Sequence, residues 1–380
     1  LDYNAERGDY AGAVQLAFQD LTLSAVGLLT SRAPGTGISL LVMVSSEDFP
    51  PIDLGFGFTL TKVGGLFGVN RTAAVEVLRA GLKERTLEAI LFPANPLRNA
   101  AKIVDRLRTV FPAQADQYLF GPVGRIEWGR PEPVLHVDLA LILEFPSPLR
   151  LLALGQFRAL LPTDDRPLVQ LRMDAVGAVD FDKGTVAVDA TLYDSRILEY
   201  ALTGDMALRA RWKEDPTFLL AVGGFNPRFQ PPPAFPQLDR VALALNKGAA
   251  RVRMACYLAL TSNTVQFGAH ADLLVKVSKL KVEGSLGFDA LFQFSPFQFE
   301  VDIAAGVSVK WSGVSLMGAN VDLMLSGPSP WHVRGKAKVK VLFFSSTIKI
   351  DKQLGGGRRP PPLPARDPLP ELRRALGDPR

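Results

Sequence analysis

The stretch Leu280-Lys281-Val282-Glu283-Gly284-Ser285-Leu286-Gly287-Phe288-Asp289-Ala290-Leu291-Phe292-Gln293 changes character at almost every step. Leu280, Val282, Leu286, Phe288 and Phe292 share one parity, and Lys281, Glu283, Ser285, Asp289 and Gln293 the other. Successive side chains of a β-strand point to opposite faces, so this period is that of a strand with one apolar and one polar face. The pattern repeats downstream, where Val301, Ile303, Val307 and Val309 alternate with Asp302, Ser308 and Lys310. Upstream, Leu135, Val137, Leu139, Leu141 and Leu143 alternate with His136, Asp138, Ala140 and Glu144.

Period two holds from about 123 to 350, and turn residues punctuate it at Pro146-Ser147-Pro148, Asp182-Lys183-Gly184, Asn246-Lys247-Gly248, Ser262-Asn263, Ser295-Pro296 and Ser312-Gly313. This predicts roughly a dozen strands joined as a meander. Many runs are long, spanning about 35 to 45 Å at ~3.3 Å per residue, about double the usual strand. The expected fold is mainly β: a large antiparallel meander of long amphipathic strands, forming a curved or barrel-like sheet. Residues 1–60 read as further strands of that sheet, and Pro231-Pro232-Pro233 and Pro236 mark a break within it.

The period changes in 61–122, which reads as a two-helix insert near residues 71–111. Val75, Leu78 and Leu82 fall at helical spacing, with Asn70 or Thr72 placed as a cap, so a helix is expected over 71–84. A second helix follows Asn95 and Pro96 and carries the stripe Leu97, Ala100, Val104, Leu107 and Phe111. Its other face, with Arg98, Lys102, Asp105, Arg106 and Arg108, reads as solvated. Residues 351–380 form a Pro- and Arg-rich linker or tail, whose run Arg359-Pro360-Pro361-Pro362-Leu363-Pro364 favours an extended polyproline conformation.

Hydrophobic residues make up 47% of the chain and charged ones 21%, which gives ample core material. The net charge of +5 is a small excess of 43 basic over 38 acidic residues, much of it in the tail, so the body gives no argument for nucleic acid. Cys256 is the only cysteine, which rules out an intrachain disulfide and a thiolate metal cluster. No apolar run of membrane-helix length and no leader are found. The start at Leu1-Asp2-Tyr3 is that expected of a processed chain or of a longer parent.

An aspartate recurs in strand after strand, at Asp138, Asp174, Asp189, Asp205, Asp272, Asp289, Asp302 and Asp322. Folding the hairpin at Ser295-Pro296 sets Asp289 opposite Asp302, Phe292 opposite Phe299 and Phe294 opposite Phe297, and folding at Ser312 sets Asp322 beside Asp302. Asp289, Asp302 and Asp322 are therefore candidate ligands for a hard cation, against the plainer expectation of a solvated face with Arg172, Arg209, Lys276 and Lys310 interleaved. Phe292, Phe294, Phe297 and Phe299 are candidate ligand-binding residues at the mouth of an apolar trough, against ordinary cross-strand pairing. His136, His270 and His332 are dispersed, and no nucleophile, phosphate-loop or cofactor fingerprint is found. Asn70-Arg71-Thr72 matches a glycosylation acceptor, which the cap reading explains more simply.

Several blocks resemble an uncharacterised family of long, β-rich bacterial proteins, a domain of unknown function. They include Asn70 to Leu82, Asp189-Ala190-Thr191-Leu192-Tyr193-Asp194-Ser195-Arg196, Leu260-Thr261-Ser262-Asn263-Thr264-Val265, Gly287 to Phe297, and Ser326-Gly327-Pro328-Ser329-Pro330-Trp331. The resemblance implies a segment of a larger bacterial protein and supplies no catalytic residues and no cofactor. The expected function is a non-enzymatic structural or binding module whose apolar sheet face serves lipid-like ligands or a partner protein. The alternatives are an outer-membrane β-barrel and a carboxylate-dependent hydrolase acting across the aspartate row.

Overall fold

The computed structural model describes residues 2–355 except 5–7, 18–21, 34, 36, 48–49, 94, 130–131 and 164. The polyproline tail lies outside the described residues. The first strands are β1 (Asp2–Asn4), β2 (Asp9–Ala17), β3 (Thr22–Ala33), β4 (Gly37–Glu47), β5 (Ile52–Gly55) and β6 (Phe58–Arg71). After the insert come β7 (Ala113–Trp128), β8 (Leu135–Phe145), β9 (Arg150–Leu161), β10 (Val169–Asp180), β11 (Thr185–Ile197), β12 (Tyr200–Arg211) and β13 (Thr217–Val222). The remainder are β14 (Val241–Lys247), β15 (Ala250–Thr261), β16 (Thr264–Val277), β17 (Leu280–Gln293), β18 (Gln298–Trp311), β19 (Val314–Gly327), β20 (Trp331–Val341) and β21 (Phe344–Leu354).

All join one antiparallel sheet of 21 strands, and each pairs with its neighbour in sequence with two exceptions. β4 and β5 both lie along β6, and β13 and β14 together fill one line between β12 and β15. The break falls at residues 223–240, where the prolines mark it in the sequence. Among the described residues β1 pairs only with β2 and β21 only with β20, so the sheet ends in two edges.

The insert consists of α1 (Val75–Ala80), a 3-10 turn (Thr86–Ala89) and α2 (Ala100–Val110). It is shorter than 61–122, because β6 runs on to Arg71 and β7 resumes at Ala113. The first helix also begins later than expected. Asn70 stays in β6, where its amide donates to Ile38 O, and the Thr72 hydroxyl donates to Glu144, so neither caps α1. Asn95 has a left-handed φ of 49° and α2 starts at Ala100, which leaves Leu97 exposed in the preceding turn. The buried stripe is Ile103, Val104, Leu107, Val110 and Phe111.

Directly paired residues share a face of the sheet. The insert packs on the face carrying Leu28, Leu41, Leu66, Leu119, Ile142, Leu152, Leu154 and Val176, and these side chains with Leu78, Leu87, Leu91, Leu107 and Phe111 form the main core. α2 touches β2 and β3, while α1 and the 3-10 turn touch β10 and β9. At ~4.8 Å per strand those contacts are about 35 Å apart along a flat sheet, and two helices side by side cover about 20 Å. The sheet therefore curls around the insert. Gly64 and Gly121 permit the close approach: a Cβ at these positions would lie 2.5 Å from Val44 O and 2.8 Å from Ile142 Cγ1.

In β8 the covered side is the parity of Asp138, Ala140, Ile142 and Glu144, while Leu139, Leu141 and Leu143 are exposed. The alternation is as expected from the sequence, and the insert decides which side is inside. A second, smaller core sits farther along, where Phe225, Phe235 and Leu238 of the 223–240 excursion cover Ala207, Ala221 and Ala259. Truncating Phe111 to alanine is expected to cost about 4 kcal/mol in chemical denaturation. Leu286→Ala, on the opposite face, should cost less than about 1 kcal/mol. Equal losses would contradict this assignment of faces.

Candidate functional site

The face opposite the insert is open. Paired residues trace it across the molecule as Phe67, Phe120, Leu143, Leu151, Val179, Val186 and Ala210, and again as Leu208, Leu220, Leu260, Val265, Phe292 and Phe299. Between the strand ends Asp116, near the start of β7, is the one Asp, Glu, Lys or Arg on this parity from β2 to β20 among the described residues. Exposed side chains such as Leu286 (61%), Ile303 and Val307 occupy it.

Aromatic residues mark both ends of the face. Trp128 and Trp311 close β7 and β18 at one end, where Trp128 packs on Phe58 at 6.3 Å. Trp212 and Trp331 stand at the other end, following β12 and opening β20, near the stacked pair Tyr118 and Phe145 and the Phe299–Trp331 edge contact at 5.8 Å. These are all four tryptophans of the chain. The sequence offered the signal, since each lies beside a turn, and only the register put them on one face.

The hairpin register is the expected one. Phe292 faces Phe299 with rings stacked at 6.0 Å, and Asp289 faces Asp302. The loop is four residues long, so Phe294 and Phe297 lie in the turn, both exposed, and Phe297 packs on Phe299 at 6.2 Å. A bulge at Val309/Lys310 shifts the next hairpin, so Asp302 faces Met324 and Asp322 faces Ala304.

The aspartate row lies on the insert face, and most of its members have protein donors. Asp138 is buried and takes two bonds from Arg125, at 2.5 and 2.7 Å, with Arg158 at 3.6 Å. Asp189 is bridged to Arg79 and Arg209, and Asp205 to Lys83 and the Thr191 hydroxyl, so the row also ties the insert to β11 and β12. Hydrogen bonds that Lys83 donates to Asp239 and Asp205 hold its ammonium above its ordinary pKa, against some desolvation. Asp289 accepts from Tyr257 and bonds His270, and burial pushes the Tyr257 phenol well up. Asp302 bonds Arg228 at 2.7 Å; burial raises its carboxyl, with Glu300 and Asp289 adding to the rise and Arg228 opposing it. Asp322 lies 3.6 Å from Lys336. Among the described residues no group of three or more His, Cys, Asp or Glu is placed to hold a metal ion. His136 pairs with Glu127, far from His270.

Removing Asp138 leaves Arg125 and Arg158 facing each other beneath the insert without their counter-charge. Asp138→Ala is expected to cost about 3 kcal/mol or more by denaturant titration. A loss under about 1 kcal/mol would mean that the pair behaves as a surface ion pair.

No curated protein and no solved structure matches the chain. One family model does, described as a family of unknown function, DUF6603, and it matches residues 1–376. The chain, an antiparallel sheet with one apolar face left open, belongs to that family.

Proposed function

We propose that this chain is a non-enzymatic binding module whose open face is covered by the acyl chains of lipids. The observation that carries the reading is a sheet-wide surface with a single charged side chain, Asp116, between the described strand ends, bracketed by aromatics at both ends. Soluble surfaces rarely expose contiguous apolar patches beyond a few hundred Å². Protein interfaces of comparable extent carry about ten direct hydrogen bonds and a polar rim, for which this face has almost no side-chain donors or acceptors. Acyl chains need none. Tryptophan and tyrosine favour the boundary between hydrocarbon and water, which is where Trp128, Trp212, Trp311 and Trp331 would then sit.

A hydrolase using Asp289 and Asp302 is less well supported, because both carboxylates are engaged by protein donors. The aromatic ends also favour a second reading, a membrane β-barrel. Its closure would need strands beyond the described ones, since β1 and β21 are not paired with each other.

The test is flotation of the full chain with phosphatidylcholine vesicles, followed by a high-pH carbonate wash. The expected outcome is co-flotation, a blue shift of tryptophan emission and release by carbonate, whereas retention after the wash favours the barrel. Leu286→Lys with Ile303→Lys should abolish flotation, given ~2–4 kcal/mol per lysine in hydrocarbon. A monodisperse, lipid-free protein that stays in the aqueous fraction sinks the proposal, as does an open face occupied by a protein partner.

A further inference from the structure

On the other side of the sheet, a cavity of about 710 Å³ opens between the insert and the ends of β4, β6, β7 and β9. Six cationic side chains line it: Lys62, Arg125 and Arg158 from the strands, and Arg85, Lys102 and Arg106 from the insert. Glu84 is the one acidic residue of the lining. Nearby carboxylates answer only part of this charge. Asp138 is taken up by its two bonds to Arg125 and shared with Arg158, and Asp194 pairs with Arg85. Arg106 donates to a neutral group, the Thr86 hydroxyl. Neither Lys62 nor Lys102 has a carboxylate within ion-pair distance among the described residues. The Nε of Arg158 is buried with no hydrogen-bond partner. Phe92 stands between Lys62 and Arg125, with the ammonium 6.0 Å and the guanidinium 5.4 Å from its ring centroid, which fixes both groups at the wall.

Like charges gathered between low-dielectric walls repel one another and focus a positive potential into the cleft, which a multiply charged anion relieves. Guanidinium forks match phosphate and carboxylate oxygens in pairs, and ammonium groups supply point charges. The volume falls in the range of small-molecule sites. We propose that this cavity binds a small molecule carrying two or more phosphate groups, free or as a lipid headgroup. The site is separate from the open face, and its occupancy does not depend on acyl chains.

Calorimetric titration of the full chain with pyrophosphate and with inositol hexakisphosphate, each in parallel with vesicles containing phosphatidylinositol bisphosphate, tests it. The expected result is saturable one-to-one binding of a soluble anion that weakens steeply with salt. Lys62→Gln and Lys102→Gln, which break no ion pair, should each weaken it about tenfold, and Lys338→Gln on the exposed face of β20 should leave it unchanged. Saturation by the vesicles alone, lost in the same two variants, assigns the site to a headgroup. Absence of saturable binding in both arms, or equal weakening by Lys338→Gln, overturns the proposal.

Discussion

Alternation carried from strand to strand across one antiparallel sheet is the constraint on which the rest of this structure depends. Because side chains change sides at every residue, the register of one hairpin commits every neighbouring strand to the same division of faces. The bulges show how closely that division is kept. At Leu60/Lys62 one extra residue re-aims the strand, so that Leu60 meets Ile126 on the open face while Lys62 meets Arg125 on the insert face. Without it, Lys62 would share the side of Leu60 and the basic cavity would lose one wall.

What differs along the sheet is the cover on the insert face. From β2 to β11 the helices bury its apolar centre, and the carboxylates flanking that centre are paid for by arginines from adjacent strands and from the insert. Arg71 is the extreme case. Fully buried, it donates to Phe111 O and the Thr30 hydroxyl, and desolvation lowers its pKa to about 10 even with Asp9 nearby. It joins the end of β6, the end of α2 and β3 at one point, so the insert is anchored where it leaves and where it returns. Farther along, the 223–240 excursion covers a narrower strip, and Arg228 extends its reach to Glu300 and Asp302 on β18.

The fold class was legible because period two is sustained over so many residues that no helical pattern competes with it. The hairpin at Ser295-Pro296 could be registered from its turn, and so the pairs Phe292–Phe299 and Asp289–Asp302 were readable. Asp322 was misplaced because a bulge at Lys310 leaves the local alternation intact and changes only its phase against the partner strand. The cap assignments failed for a different reason: Asn70 and Thr72 suit a helix start chemically, but tertiary partners at Ile38 and Glu144 compete for them. Which face would be covered could not be read at all, since it depends on where the insert folds back. The basic side of α2 is largely solvated, as expected, with Arg98, Lys102 and Asp105 exposed, but its alignment with Lys62 and Arg158 around one cavity depends on strands distant in sequence.

The C-terminal strands carry this logic to its limit. Beyond the reach of Arg228 onto β18, neither face is covered as far as β21, and the side chains of β20 and β21 are exposed or half-buried. What remains is the backbone ladder with cross-strand pairs: Glu283 between Lys281 and Lys310, Asp322 near Lys336, and the aromatic contacts of Phe292, Phe299 and Trp331. The two lysines hold the exposed Glu283 carboxyl down near 2, so that pairing persists until strongly acid pH, but exposed ion pairs contribute little to stability. With so little apolar burial, this end of the sheet has the features of strands that open locally at low free energy. A ligand on the open face would stabilise these strands by an amount set by its concentration and affinity.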